Sequence, residues 1–394
     1  MSKLEPTNLE NSKSKDSGSK DSGSKNSGDK KSGNNLAKLD ATKVEVISSS
    51  LEYPEGPIHC HDGSIILVEI KGQRLSKIAP CGTATTIAQL PGGPNGAAVG
   101  PDGCVYICND GGFEWMPIPG VNKDKIIWVG GNQPQGTDYK GGSLQKVDTS
   151  SGEVTTLFTE CTERGYPDPS GAAYPAWNPA FDLKGPDDLV FDQAGGIWFS
   201  DFGKTRERDR DITALYYVSA DQKTITQMAY PLNSPNGIAL SPDGTRLYFT
   251  LTYERKIMYF ELSGAGKIKR NPASLDGAYL LTAQLEGQAI LDSMAVDVEG
   301  NLYLATMLPQ GNTPVVNGGI SIISPDGAVE YQEIAIPDGS IAPLPSNICF
   351  GGEDMKTAFV TCGGAGYLLK MPSVIAGLKL NHNGSDFKPP VTVS

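Results

Sequence analysis

Three histidines in 394 residues leave little material for a zinc or copper centre. The seven cysteines, at 60, 81, 104, 108, 161, 349 and 362, are scattered and odd in number. The one short spacing, Cys104 to Cys108, encloses strand-like residues and has no histidine beside it. These cysteines read as mostly buried thiols of a reducing compartment, not as a disulfide framework. Basic residues are outnumbered 33 to 45, giving a formal charge of −12. A nucleic-acid partner is therefore not expected, since phosphate binding needs a basic footprint. No apolar run reaches the roughly eighteen residues of a membrane span. The N-terminus has no apolar signal core, so a cytoplasmic location is expected. A G-x-S-x-G elbow and a long amphipathic helical period are both missing, and His59, His61 and His382 form no triad: the first two read as turn or surface residues around a hairpin, the third as part of the tail.

What the chain has is glycine, 47 of them, and a repeated hairpin. The stretch Ser234 to Thr250 reads as an Asn-Gly corner, an apolar run, and a Pro-Asp-Gly turn into Leu247-Tyr248-Phe249. Related stretches start at Gly56-Pro57-Ile58, Gly96-Ala97-Ala98, Asp188-Leu189-Val190, Met294-Ala295-Val296 and Asn347-Ile348-Cys349, each followed by a short turn and a second apolar run. Six such hairpins at blade-like spacing predict an all-β fold, a six-bladed β-propeller over residues 41–394. Val44 to Ile47 alternates and is expected to close the ring against the C-terminal strands. Residues 1–40 repeat Ser, Gly, Lys and Asp with little to bury, and are expected to form a disordered tail.

The second and third repeats are too far apart for one blade. Two aromatic-rich inserts, 113–140 and 161–183, fill the excess, and a hairpin between them completes a blade. Long aromatic loops on a rigid scaffold commonly shape binding sites, so Trp115, Trp177 and Phe181 are candidate specificity residues.

The residues at the start of the six repeats are Glu55, Asn95, Asp187, Asn236, Asp292 and Asn347. Each carries a carboxylate or a carboxamide. Such a ring of oxygen donors around one axis suits a hard divalent cation such as Ca²⁺. Asn and Asp before Gly also serve turns by tolerating positive φ, and at any single position that reading competes.

E-G-P at Glu55, P-D-D-L-V-F-D at 186–192, S-P-N-G-I-A-L-S-P-D-G at 234–244, D-S-M-A-V-D-V-E-G-N-L-Y at 292–303 and S-N-I-C-F-G-G-E-D-M-K-T-A-F-V-T at 346–361 resemble the senescence marker protein/gluconolactonase/luciferin-regenerating enzyme family over roughly residues 44–378. The resemblance implies a six-bladed propeller with a divalent metal, usually calcium, in its channel. By that resemblance Glu55, Asn236 and Asp292 are ligands. Asp187 stands where the family often has Asn and becomes a further candidate ligand. The Arg that implies sugar-lactone specificity is missing, with Gly185 at its place and Lys184 beside it. The implied activity is hydrolysis of a lactone or ester, a small molecule, by attack of water, with Asp292 or Asp187 as base and Asn95, Lys184, Asp188, Trp177 and Asn347 on the substrate. Mg²⁺, Mn²⁺ or Zn²⁺ are alternatives to Ca²⁺. An organophosphate-type hydrolase, or a ligand-binding propeller with structural calcium, are the rival readings.

Overall fold

The computed structural model describes residues 39–117, 127–129, 135–136, 138–165, 180–274, 276–282, 285, 289–309, 316–337 and 344–381. The tail expected over 1–40 falls outside these residues except for Leu39 and Asp40, and so does Trp177.

The described residues form eight sheets, six of them arranged as the blades of a propeller and antiparallel except where Glu163–Arg164 runs parallel beside Ile225–Leu232, with no α-helix among them. Blade 1 runs through Pro54–His59, Ile65–Glu69, Arg74–Ile78 and Ala84–Gln89. Blade 2 uses Pro94–Val99, Val105–Asn109, Ser143–Asp148 and Glu153–Phe158, so the hairpin between the inserts does complete it. Blade 3 comprises Pro186–Phe191, Ile197–Asp201, Thr213–Val218 and Ile225–Leu232. Blade 4 comprises Pro235–Leu240, Arg246–Leu251 and Lys256–Gly264, with Lys267–Lys269 and Tyr279–Thr282 both on its outer edge. Blade 5 is Ile290–Val296, Leu302–Pro309, Val316–Ile323 and Val329–Glu333. Blade 6 takes Pro345–Gly351, Thr357–Cys362 and Tyr367–Pro372, and its fourth strand comes from the other end of the chain, Glu45–Ser48.

This borrowed strand closes the ring. Glu45 pairs with Lys370 and Val46 with Leu369. The body begins slightly before the expected residue 41. Leu39 is buried in the cluster between blades 5 and 6, and its amide donates to Gln332 Oε1 at 3.0 Å. Six apolar clusters fill the six blade interfaces, which is how flat sheets with two apolar faces bury both. Trp198, Phe199, Phe249 and Tyr303 are among the largest side chains buried there.

The inner strands line a central channel of about 410 Å³ walled by side chains such as Val99, Phe191, Leu240, Met294 and Ile348. Beyond blade 6 the chain turns back under this channel. Gly377 N donates to Met355 O, Leu378 N to Val296 O, and Asn381 Nδ2 to Phe191 O at 3.0 Å, tying blades 6, 5 and 3 across the axis. All seven cysteines are free thiols; Cys60, Cys108, Cys161 and Cys362 are buried. His59 belongs to an inner strand and not to a turn: it accepts from Gly352 N at 3.4 Å and packs on Phe359. No helix among the described residues is long and apolar enough to cross a membrane.

Candidate functional site

Five of the six inner strands open on proline, at 54, 94, 186, 235 and 345. A first strand position tolerates the missing donor. Immediately after this opening the pairing slips in every blade: between Glu55 and Ile58, Pro94 and Ala97, Pro186 and Leu189, Pro235 and Ile238, Leu291 and Met294, and Pro345 and Asn347. Six bulges thus sit at one level of the channel. A bulge bends its strand and re-aims a side chain; Asn95, Asp187, Asn236 and Asp292 lie within the bulges, and Glu55 and Asn347 at the edge of theirs, still paired with Val68 and Thr361. The Asn-Gly pairs, read from sequence as corners ahead of the strands, lie inside them.

The glycines do a different job from turning the chain. A Cβ on Gly96 would lie 2.4 Å from the Asp187 carbonyl oxygen, and one on Gly237 would lie 2.7 Å from that of Asp292. Glycine lets neighbouring inner strands approach at the level of the polar ring. Hydroxyls fix the same backbone from the side: Ser200 Oγ donates to Asn236 O at 2.5 Å, Thr252 Oγ1 to Leu291 O at 2.7 Å, and Ser346 Oγ to Pro54 O at 3.0 Å.

Within the ring, amides orient carboxylates. Asn347 Nδ2 donates to Glu55 Oε2 at 2.8 Å, while Ile348 N donates to Asn347 Oδ1 at 2.7 Å. Asn95 Nδ2 donates to Asp187 Oδ2 at 3.1 Å. Asn236 lies near enough to the Asp292 carboxylate to favour its charged form. Asp188 is turned lower, toward the channel, where it accepts from Leu189 N at 2.9 Å and Ile238 N at 3.4 Å. Lys184 sits at the rim with its ammonium 3.2 Å from Asp182.

Burial raises all of these acids. Glu55 lies well above the usual carboxylate range through burial and then the Asp292 charge, only partly offset by Asn347 and Gly56 N. Asp187 is raised in the same way, by burial followed by Asp292 and Glu55. Burial carries Asp292 to about 7 against the opposing effect of the Asn236 amide, and Asp188 to about 7 against its backbone bonds. Like charges this close cannot all ionise without a counter-charge.

Two acceptors in the ring are buried without a partner, Asp187 Oδ1 and Asn236 Oδ1. A buried oxygen normally has a hydrogen bond, and oxygen donors that lack one are suited to a hard cation. Among the described residues no three His, Cys, Asp or Glu side chains converge closely enough to hold an ion alone. A cation at this place would have to draw on amide and solvent oxygens as well as on carboxylates.

Sequence reasoning missed the surroundings of the ring. Asp110 and Lys204, 94 residues apart, form a buried pair at 3.0 Å; the ammonium also donates to Gly112 O at 2.9 Å and lies 3.7 Å from the centre of the Phe113 ring. Burial disfavours both charges, lowering Lys204 and raising Asp110. Asn95, which donates to Asp187, also lies near enough to Asp110 to favour its charged form, linking this pair to the ring. Tyr53 has a left-handed backbone, φ 63°, and its ring centre is 5.2 Å from that of Trp115. Burial, then Asp292, Glu55, Asp187 and Asp110, raise its phenol well above the ordinary value. Nothing in Y-P-E-G-P marks that conformation. At the facing side Arg210 stacks 3.5 Å over Tyr253, whose phenol is raised by burial.

Fold and ring together define a six-bladed propeller with a ring of oxygen donors at one channel mouth. Residues 53–364 match the family model described as SMP-30/Gluconolactonase/LRE-like region, and the chain belongs to that family. It is 24% identical over 347 residues to a gluconolactonase of Zymomonas mobilis, covering 82% of this chain and 79% of that one. A lactonase of Staphylococcus haemolyticus is 35% identical over 131 residues, 33% of this chain and 38% of the other. Among solved structures, a calcium-binding regucalcin from Agrobacterium tumefaciens shares the fold at TM-score 0.56 and 17% identity, covering 88% of this chain and 96% of that one.

Proposed function

We propose that this protein hydrolyses a lactone with the help of a divalent cation, calcium first, held by Glu55, Asn236 and Asp292 with Asp187 beside them. The observation that carries the reading is the pair of unpartnered buried oxygens, Asp187 Oδ1 and Asn236 Oδ1, within a ring of carboxylates that burial keeps from ionising together. Family membership and a relative named gluconolactonase supply the substrate class.

When bound, the cation polarises the lactone carbonyl and offsets the charge that builds on its oxygen. The rest falls to the chain. Asn347 and Gly56 N fix the Glu55 carboxylate; Asn95 fixes Asp187. Asp292, partly exposed at the mouth, takes a proton from the attacking water and returns it to the ring oxygen that leaves. Asp187 is the competing base. The position at which sugar-lactone members carry an Arg holds Gly185, beside the Asp182-bound Lys184, which favours a less polar lactone.

Calorimetric titration of calcium, with turnover measured in parallel, tests this in wild type, Glu55→Gln, Asp187→Asn and Asp292→Asn. Glu55→Gln should bind calcium more weakly and regain activity with excess ion. Asp292→Asn should stay slow at saturating calcium, by about 10²–10⁴-fold, as expected for a lost general base. Full recovery in Asp292→Asn with none in Asp187→Asn would move the base to Asp187. A wild type that binds no divalent cation would overturn the proposal.

A further inference from the structure

Between the polar ring and the first insert stands a tyrosine that the reaction above does not use. Tyr53 precedes Pro54 and Glu55 and is held in three ways. Its backbone occupies the left-handed region at φ 63°, costly for a residue with a Cβ. Its ring lies against Trp115 at the base of the insert, centroids 5.2 Å apart. Gly363, close against the same ring, has no side chain: a Cβ there would stand 2.6 Å from Tyr53 Cε1 and 2.8 Å from its Cζ. The phenol lies within electrostatic reach of Asp292, Glu55 and Asp187, three of the ring carboxylates. Strain of this kind persists only where the surroundings over-determine it, and it gathers at functional sites.

We propose that Tyr53 is a catalytic residue whose hydroxyl donates a hydrogen bond to the ring oxygen of the lactone as that oxygen leaves. The inference rests on the lactone-hydrolase reading and adds a donor to it. Water's oxygen bonds to the acyl carbon, the bond between acyl carbon and ring oxygen breaks, and the electron pair stays on the ring oxygen. That oxygen takes up the proton Asp292 removed from water, so a hydroxy acid results and Tyr53 keeps its own proton. Of the ring amides, Asn95 and Asn347 already donate to carboxylates. A phenol is a neutral donor that keeps its proton, so it can hydrogen-bond the leaving oxygen while Asp292 is still occupied with the attacking water. Donors aimed at developing charge are worth most where water is excluded.

The test compares δ-valerolactone, whose leaving group is an alkoxide, with dihydrocoumarin, whose leaving phenoxide needs far less help. Full-length, calcium-loaded wild type and Tyr53→Phe are assayed on both, with calcium affinity and melting temperature measured alongside. Tyr53→Phe keeps the ring and its packing. It should lose about 10²-fold in kcat on δ-valerolactone, much less on dihydrocoumarin, with calcium affinity and melting temperature near wild type. Gly363→Ala, which displaces the ring, should show the same selective loss, and stands in if Tyr53→Phe folds poorly. Equal losses on both lactones, or none, would overturn the role of Tyr53 while leaving the hydrolase reading intact. A wild type inert on both would overturn that reading and this inference with it.

Discussion

At Gly237 a methyl group would lie 2.7 Å from Asp292 O, 2.8 Å from Ser293 Cα and 3.1 Å from Met294 N. All three are backbone atoms of the next blade, so nothing flexible can give way. Gly237→Ala should therefore push blades 4 and 5 apart at the polar ring. The expected outcome is a loss of about 1–3 kcal/mol in stability, as for other overpacked sites, and a calcium affinity at least tenfold weaker by calorimetry. Gly244→Ala is the control. It has nothing within 4 Å, and only its φ of 67° opposes the change, so about 1–2 kcal/mol of strain should appear with calcium affinity unmoved. The sequence alone presents Gly237 and Gly244 alike, one after Asn and one after Asp. What separates them is a contact with a strand more than fifty positions away, which no local pattern encodes.

At the scale of the element, the hairpins were legible because their alternation and turns are local. The blade count followed from them, and the closing role of Val44 to Ile47 followed from an unpaired alternating segment at one end of a ring. The bulges were not legible. A bulge is a slip in hydrogen-bonding register, and the residues on either side of it read the same with or without one. Also hidden were the pairing of Asp110 with Lys204 and the segment 373–381 beneath the channel, both set by chain-distant contacts. The closing strand makes its own prediction. A chain beginning at Leu39 keeps the bonds of Leu39 to Gln332 and of Glu45–Ser48 to blade 6, so it should melt with the full chain. A chain beginning at Leu51 leaves the Tyr367–Pro372 edge unpaired and should lose cooperative melting or drop by ten degrees or more. Differential scanning calorimetry distinguishes the two.

For the whole molecule, the ring couples stability to pH. Burial raises Asp188 and Asp292 to about 7 in the folded chain against an ordinary value of 3.8, and raises Glu55 and Asp187 well above the usual carboxylate range. A raised carboxyl binds its proton more tightly folded than unfolded, so its contribution is fully present below about pH 4 and is lost as pH rises through about 7. With calcium chelated, the melting temperature should fall by several degrees between pH 5 and pH 8. Glu69 works in the opposite sense at lower pH. Burial raises it, but bonds from Arg74, Ser76 and Glu52 N outweigh burial and hold it below 4.5, so acid below that value should destabilise. Millimolar calcium should flatten or reverse the slope between pH 5 and pH 8, because the cation favours the ionised ring. A slope unaffected by calcium would show that the acids and the cation site are separate. The six bulges bear on how such a molecule changes over generations. Asn95, Asp187, Asn236 and Asp292 are displaced from the ladder and contribute no sheet pairing, whereas Glu55 and Asn347 stay opposite Val68 and Thr361. At the four displaced seats the scaffold can trial donors one by one, Asp for Asn at 187 among them, without giving up a ladder pair of the blade that carries them.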